Sequence, residues 1–355
     1  MLHEDHPLSR RRFLTRSSAA VAGTALAGSL LTRPLPASAS CAQVVVSTWG
    51  GDYERLLKEF TDPFLKAKSV SVVYDVTRPP QRMTKLIAEK NLKQGSLDVV
   101  HFNDSDMYKM YHEGTLAEVD YAKVPSSRYV IKQFSDGYSI PHIYSAAVIL
   151  YSPQNVKTAP NSFEVFWDPK YKGRVGIVSG LWVTYLQMAT MLAGGSSTNY
   201  EPGKKMLLDL KKLNPRIYPS QEELAVAIKG GEVWLSLDWR ARAYFWKTRG
   251  VQVENVVPKE GAIPVLYRAG YAKNAADADC SLAYLDAMLQ PQSQVSFAKV
   301  MGYVPTVTNA KLPASLEQQI GFSEAERARF FKQEYGYIAQ NHNAWLDWWN
   351  QEFVG

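Results

Sequence analysis

From residue 43 onward, short apolar runs and helical stripes take turns along the chain. Gln43-Val44-Val45-Val46-Ser47-Thr48-Trp49 reads as a buried strand that ends in polar and aromatic residues. Gly50-Gly51 turns the chain, and Tyr53 to Phe60 carries the spacing of an amphipathic helix. The pair recurs as a strand over Val70 to Val76 and a helix over Gln81 to Lys90. A third strand, Leu97 to Phe102, runs into Asn103-Asp104-Ser105-Asp106, a loop with the composition of a helix N-cap, and then a helix from Met107 to Glu113. Such alternation predicts an α/β fold whose mostly parallel sheet is covered on both faces. In open sheets of this kind ligands bind beyond the carboxyl ends of the strands. That rule points at Thr48-Trp49, Thr77-Arg78 and Asn103-Asp104-Ser105.

The second half keeps the rhythm. Ser139 to Tyr151 reads as one long strand crossing into a second region. Strands are expected at Arg174 to Ser179, Val233 to Asp238 and Ile263 to Tyr267, and helices at Trp182 to Leu192, Lys204 to Leu213, Glu222 to Lys229 and beyond Ala276. No linker rich in Pro, Ser or Gly separates the halves, so two lobes would be joined by crossing strands.

The first forty residues do not share this pattern. Arg10-Arg11-Arg12 directly precede Phe13-Leu14, a weakly apolar run follows from Ser17 to Leu31, and Ala37-Ser38-Ala39 offers a small-residue cleavage site. Residues 1–39 are therefore expected to be a twin-arginine export signal, which places the mature chain in the periplasm. Cys41 follows the cleavage site, but a lipoprotein signal wants an aliphatic residue where Ser38 stands, so a soluble product is expected over a lipid anchor. The other cysteine is Cys280, and the sequence leaves open whether the two pair.

Charge shrinks once the signal is set aside. Residues 1–39 hold five arginines and two acidic residues, so the formal charge falls from +6 to +3, too mild to imply nucleic acid. With 9 Trp and 20 Tyr, an aromatic-lined cleft is within reach of the composition. The six histidines are scattered, and the chain has no His-Glu-x-x-His, Gly-x-Ser-x-Gly, phosphate-binding loop or cysteine pair at metal spacing. Neither an enzyme nor a metal or cofactor site is expected.

Seven segments then fall in a familiar order. They are Thr48-Trp49-Gly50-Gly51-Asp52-Tyr53, Asp98-Val99-Val100, Glu113-Gly114-Thr115-Leu116, Trp167-Asp168-Pro169-Lys170-Tyr171-Lys172-Gly173-Arg174, Gly231-Glu232-Val233, Pro258-Lys259-Glu260-Gly261 and Gly302-Tyr303-Val304-Pro305. Together they resemble the spermidine/putrescine-type branch of bacterial extracellular solute-binding proteins across the mature chain. The resemblance implies a two-lobed periplasmic-binding-protein fold, each lobe a mixed, mostly parallel sheet flanked by helices, the lobes joined by crossing hinge strands. One lobe would hold residues 43–140 plus 263–310, the other 141–262 plus 311–355. The resemblance also implies a monomer that closes on a small-molecule solute and delivers it to the membrane permease of an ABC importer.

The resemblance is less simple at the ligand. Polyamine-binding members sandwich the alkyl chain between aromatics and clamp its ammonium ends with carboxylates. The aromatics are matched in part by Trp49, Trp239 and Tyr303, with Tyr53 one place off. The carboxylates are not: Ser179-Gly180-Leu181-Trp182 stands where an acidic pair is expected, and Tyr267, beside Arg268, replaces an aspartate. A buried diammonium ion without carboxylate partners would carry a desolvation penalty of several kcal/mol per charge. Arg240 could instead grip a carboxylate, with Arg78 and Arg268 as further candidates. The expected ligand is an anionic or zwitterionic, amino-acid-like solute held by Arg240 between Trp49 and Trp239. Gly50, Tyr53, Asn103, Ser105, Trp182, Tyr267 and Tyr303 would surround it, and Asp104 would receive an amino group. A polyamine receptor, or a phosphonate or thiamine receptor of the same superfamily, is the alternative. An iron receptor is disfavoured, because no two tyrosines are adjacent.

Overall fold

A computed structural model describes residues 41–355; the export signal expected at residues 1–39 lies outside the described residues. One sheet organises the chain. Its strands are β1 (Gln43–Thr48), β2 (Ser71–Val76), β3 (Val99–Asn103), β4 (Ile140–Tyr151), β5 (Val175–Val178), β6 (Arg216–Tyr218), β7 (Leu235–Trp239), β8 (Glu254–Val256), β9 (Ile263–Tyr271) and β10 (Val304–Pro305). The order is β2-β1-β3-β9-β4-β7-β5-β6, with β8 and β10 also pairing with β4.

The two ends of the sheet are parallel and the centre is not. β1 runs parallel to β2 and β3, and β5 runs parallel to β6 and β7. Between them β9 is antiparallel to both β3 and β4, and β4 is antiparallel to β7. This is the expected mixed sheet, with a parallel set of strands at each end and the two long antiparallel strands β4 and β9 crossing between them. The flanks obey the crossover rule, since parallel neighbours need a connection over the sheet, here the helices Asp52–Phe60 and Pro79–Glu89.

Burial explains the composition of these strands. Every residue of β4 except Tyr151 is buried, which accounts for its near-continuous apolar run. Val44, Val46, Val99 and Val100 are wholly shielded from solvent, each burial worth roughly 1.5–3 kcal/mol. Separate apolar clusters lie under the two flanks: Leu56, Leu57, Leu285 and Phe297 under one, Phe166, Tyr185, Leu186 and Leu207 under the other.

Two local features place site residues. The β4–β9 register shifts between Pro141 and Ile143, where proline has no N–H for the ladder, and His142 occupies the irregularity. Gly302 caps the helix Pro291–Met301 in the left-handed region at φ 74°. A Cβ there would lie 2.7 Å from Tyr244 Cδ1 and 3.0 Å from the Ala241 carbonyl oxygen. Gly302→Ala is therefore expected to cost about 1–3 kcal/mol and to displace the next residue, Tyr303; a thermal melt of the variant checks the first, and an unchanged melt would contradict it.

Cys41 and Cys280 form a disulfide, with Cα atoms 5.2 Å apart. The bond ties the segment just before β1 to the helix Ala278–Met288.

Candidate functional site

Two recesses open beside the central strands, and Tyr267 of β9 lines both. The first has a volume of about 370 Å³. β1 delivers Trp49 to its rim, the Gly50-Gly51 turn follows with Gly51 at φ 68°, and the helix Asp52–Phe60 brings in Tyr53. Gly50 also lets the rim lie close to β2, since a Cβ there would sit 2.9 Å from Val76. Tyr303 enters after the Gly302 cap, and its hydroxyl donates to the Tyr267 hydroxyl at 3.2 Å.

The rings meet edge to face. Centroids are 5.0 Å apart for Trp49 and Tyr53, 5.1 Å for Trp49 and Tyr267, and 5.1 Å for Tyr267 and Tyr303. Such pairs fix the walls of the recess more firmly than burial alone. Behind Tyr53 its hydroxyl meets His142 Nδ1 at 2.8 Å. Burial holds His142 down to about 3, so this imidazole is neutral and serves as a prop for the tyrosine.

Arg242 is the cation of this recess. It lies in the first turn of the helix Arg240–Lys247, and its buried Nε has no hydrogen-bond partner among the described residues. Burial opposes its charge, but Tyr303, Asp238 and Tyr267 raise its pKa above the ordinary value. Asp238, in β7, is buried and pushed up to about 7 by desolvation, which the Trp239 N–H and Arg242 only partly offset. Asp238 Oδ1 accepts from Gln221 Nε2 and from the Trp239 N–H, both at 2.6 Å, and Oδ2 has no partner among the described residues. Arg242 is thus left with donor capacity facing an aromatic box.

The second recess measures about 470 Å³ and is more polar. Asn103, Asp104, Ser105 and Asp106 line one side at the start of the helix Asp104–His112. Asn103 Oδ1 accepts from the Asp106 N–H at 2.8 Å, so the expected N-cap is real and the helix begins three residues earlier than its apolar spacing suggests. Asp104 is buried, which raises its pKa against the pull of Arg268, and it accepts from the Tyr335 hydroxyl. Asp106 is raised by desolvation too, with Lys109 opposing. Across the recess stand Trp182, Gln187, Trp239 and His342. Trp182 packs on His342 at 5.4 Å, and Gln187 Nε2 donates to Gln333 Oε1 at 3.0 Å.

Of the residues singled out in the sequence, Trp49, Gly50, Tyr53, Tyr267 and Tyr303 line the first recess. Asn103, Asp104, Ser105, Trp182, Trp239 and again Tyr267 line the second. Trp49 and Trp239 therefore do not face one another across a single cavity, as the sandwich required. All three predicted arginines sit elsewhere. Arg240 donates through Nε to Gln319 O at 3.1 Å and through Nη2 to Gln318 O at 2.9 Å, with Nη1 on Gly321 O and its guanidinium over Phe322. It ties down the end of the helix Ala314–Ile320. Positions 240 and 242 lie roughly 200° apart around a helix, so only one of them can face the recess. Arg268 points to the face of β9 opposite Tyr267, ion-pairs with Asp136 at 3.0 Å and donates to Phe134 O. Arg78 is exposed at the start of the helix Pro79–Glu89. Arg240→Ala should lower stability by about 1–3 kcal/mol through the carbonyls it leaves unpaired while sparing solute affinity; a paired melt and titration checks it, and lost affinity with an unchanged melt would contradict it.

Sequence reasoning missed Arg242 and Asp106. Arg242 was hidden because no helix was expected after Trp239, although helical spacing from Arg240 would have turned attention two residues on.

Comparison with known proteins adds the family context. The family described as bacterial extracellular solute-binding protein matches residues 59–323. The spermidine/putrescine-binding periplasmic protein of Escherichia coli (strain K12) is 26% identical over 269 residues, covering 72% of this chain and 75% of that protein. Among solved structures, an ABC transporter from Clostridium perfringens superposes with a TM-score of 0.77 at 22% identity, over 87% of this chain and 99% of the other. The PBP AgtB from A. tumefaciens R10, in complex with agropinic acid, reaches a TM-score of 0.68 at 18% identity, over 88% of this chain and 99% of the other. The fold is that of these solved solute-binding proteins.

Proposed function

This chain belongs to the bacterial extracellular solute-binding proteins, and we propose from that premise that it captures a zwitterionic or anionic amino-acid-like solute for an ABC importer. The observation that carries the ligand class is Arg242, a guanidinium on the wall of an aromatic recess beside Phe245, with the carboxylates of Asp104 and Asp106 in the recess on the other side of Tyr267. A carboxylate of the solute would take the fork of Arg242, and an ammonium group would turn toward Asp104 and Asp106. The alkyl part would lie against Tyr267, the one ring that lines both recesses. Binding is non-covalent, with no turnover.

The halves of the sheet suggest how capture works. Residues 43–140 plus 263–310 would form one lobe and 141–262 plus 311–355 the other, with β4 and β9 as the strands that bend when the lobes close. The protein would act as a monomer in the periplasm, where the E. coli relative is named as working, and reach it by the twin-arginine route. A chain exported folded must fold before its disulfide forms, so the reduced protein is expected to remain cooperatively folded.

The polyamine reading has a specific point in its favour, the ligand in the name of the E. coli relative. Against it stand Arg242 on the wall of the aromatic recess and the neutralising effect of burial on nearby Asp238, while Asp52, the carboxylate that lines this recess, is already paired with Arg55 at 3.1 Å. Mass spectrometry of small molecules released from freshly purified protein separates the two. The expected finding is a stoichiometric amino-acid-like or carboxylate species; a stoichiometric polyamine would overturn the proposal.

A further inference from the structure

Arg82 is completely buried, on the helix Pro79–Glu89. Its guanidinium carbon lies 4.9 Å from the centroid of the Trp49 ring and 5.4 Å from that of Phe102. It donates to two backbone carbonyls, those of His101 and Thr77, and its Nε has no partner among the described residues. The carboxylates nearest in sequence and space are engaged elsewhere. Asp75 accepts from Ser47 at 2.8 Å and pairs with Lys85 at 3.9 Å, and Asp106 accepts from Asn103 Nδ2 at 3.1 Å. Burial lowers the pKa of Arg82 to about 10, with Tyr53, Asp75 and Asp106 opposing, so the group stays charged at neutral pH.

A buried cation at an indole face has a consequence for whatever meets that indole from the recess. The quadrupole that would attract a solute ammonium is already occupied by Arg82. The charge itself is poorly screened, because low-dielectric protein separates it from water. A cationic group entering beside Trp49 therefore meets both a spent ring and a like charge, whereas an anionic group meets attraction. We propose that Arg82 is a specificity-determining residue that acts through Trp49 to bias the aromatic recess against cationic solutes and toward anionic groups. This rests on the reading that the recess is the solute site, but the bias itself is a property of the recess and can be measured with no solute present.

The experiment compares quenching of Trp49 fluorescence by iodide and by caesium at constant ionic strength, the Trp49 component being isolated by subtracting the Trp49→Phe protein. Each ion's quenching constant is divided by its value for free N-acetyltryptophanamide, because iodide is intrinsically the stronger quencher; on that normalised scale iodide should quench the parent component several-fold more effectively than caesium. Arg82→Gln should bring the two quenchers close to parity, Arg82→Lys should keep most of the preference, and Arg242→Met should reduce it without removing it. A parent Trp49 quenched equally by both ions, or better by caesium, overturns the proposal without any Arg82 variant, so a variant that fails to fold does not protect it. Preference unchanged in Arg82→Gln, or abolished in Arg242→Met alone, also overturns it. If the bias holds while the purified protein carries no anionic or zwitterionic solute, the functional reading fails and the electrostatic one stands.

Discussion

Arg242→Met binds the cognate solute roughly 30-fold to several thousand-fold more weakly than the parent, the equivalent of losing about 2–5 kcal/mol from a desolvated charge pair. The size follows from the setting. The guanidinium stands in an aromatic recess, its Nε is unsatisfied, and nearby Asp238 is pushed up to about 7 by burial, so near neutral pH it does not fully answer the charge. A solute carboxylate would be the strongest partner available to it. Methionine keeps an apolar side chain of similar length and removes the charge that lies 5.7 Å from the Phe245 ring centroid, so the melting temperature should hold. Arg242→Lys should recover part of the affinity, since a point charge replaces a planar fork. Isothermal titration with the co-purified solute gives the numbers; an affinity within about threefold of the parent, less than 1 kcal/mol, would remove Arg242 from the site.

The second large effect concerns stability. The bond between Cys41 and Cys280 spans 239 positions of sequence, and removing a native disulfide typically costs 2–5 kcal/mol, more for longer loops, by restoring freedom to the unfolded chain. The double variant Cys41→Ser/Cys280→Ser should therefore melt about 3–10 °C lower. Solute affinity should change little. The bond sits before the first residue of β1, and Trp49 lies beyond its last, so about 20 Å of strand separates the cross-link from the aromatic recess. Differential scanning calorimetry and a titration on the same preparation test both halves. An unchanged melt would mean that the helix Ala278–Met288 and β1 are already held fully by packing among Val44, Leu285 and Met288.

These two effects mark where the sequence was informative. Apolar runs located β1, β3, β4 and β7, because strands buried on both faces are nearly continuous in apolar residues, and β2, a half-exposed edge strand, showed through its valines. β6 and β8 were missed, being three residues each and half exposed, too short to show a period. The antiparallel centre was also invisible, since strand direction is set by which strands meet and not by what they contain. In the site, strand ends and glycine turns pointed correctly to where Trp49, Asn103 and Tyr303 would stand, because the sheet dictates those positions. The arginines were legible only as residues. Arg240 and Arg242 differ by two places, Tyr267 and Arg268 by one, and in each pair the facing alone decides which side chain meets the recess. Cys41 and Cys280 could not be paired from sequence, because their approach depends on how the helix Ala278–Met288 packs on β1.

The central claim is that the recess around Tyr267 is built for a small molecule bearing a carboxylate. Three unbranched four-carbon probes isolate that property: succinate with two carboxylates, 4-aminobutyrate with one carboxylate and one ammonium, and putrescine with two ammoniums. Titrated calorimetrically into the mature protein freed of endogenous solute, 4-aminobutyrate or succinate should bind at least about tenfold tighter than putrescine, a difference of roughly 1.4 kcal/mol. Putrescine binding tightest of the three would contradict the account.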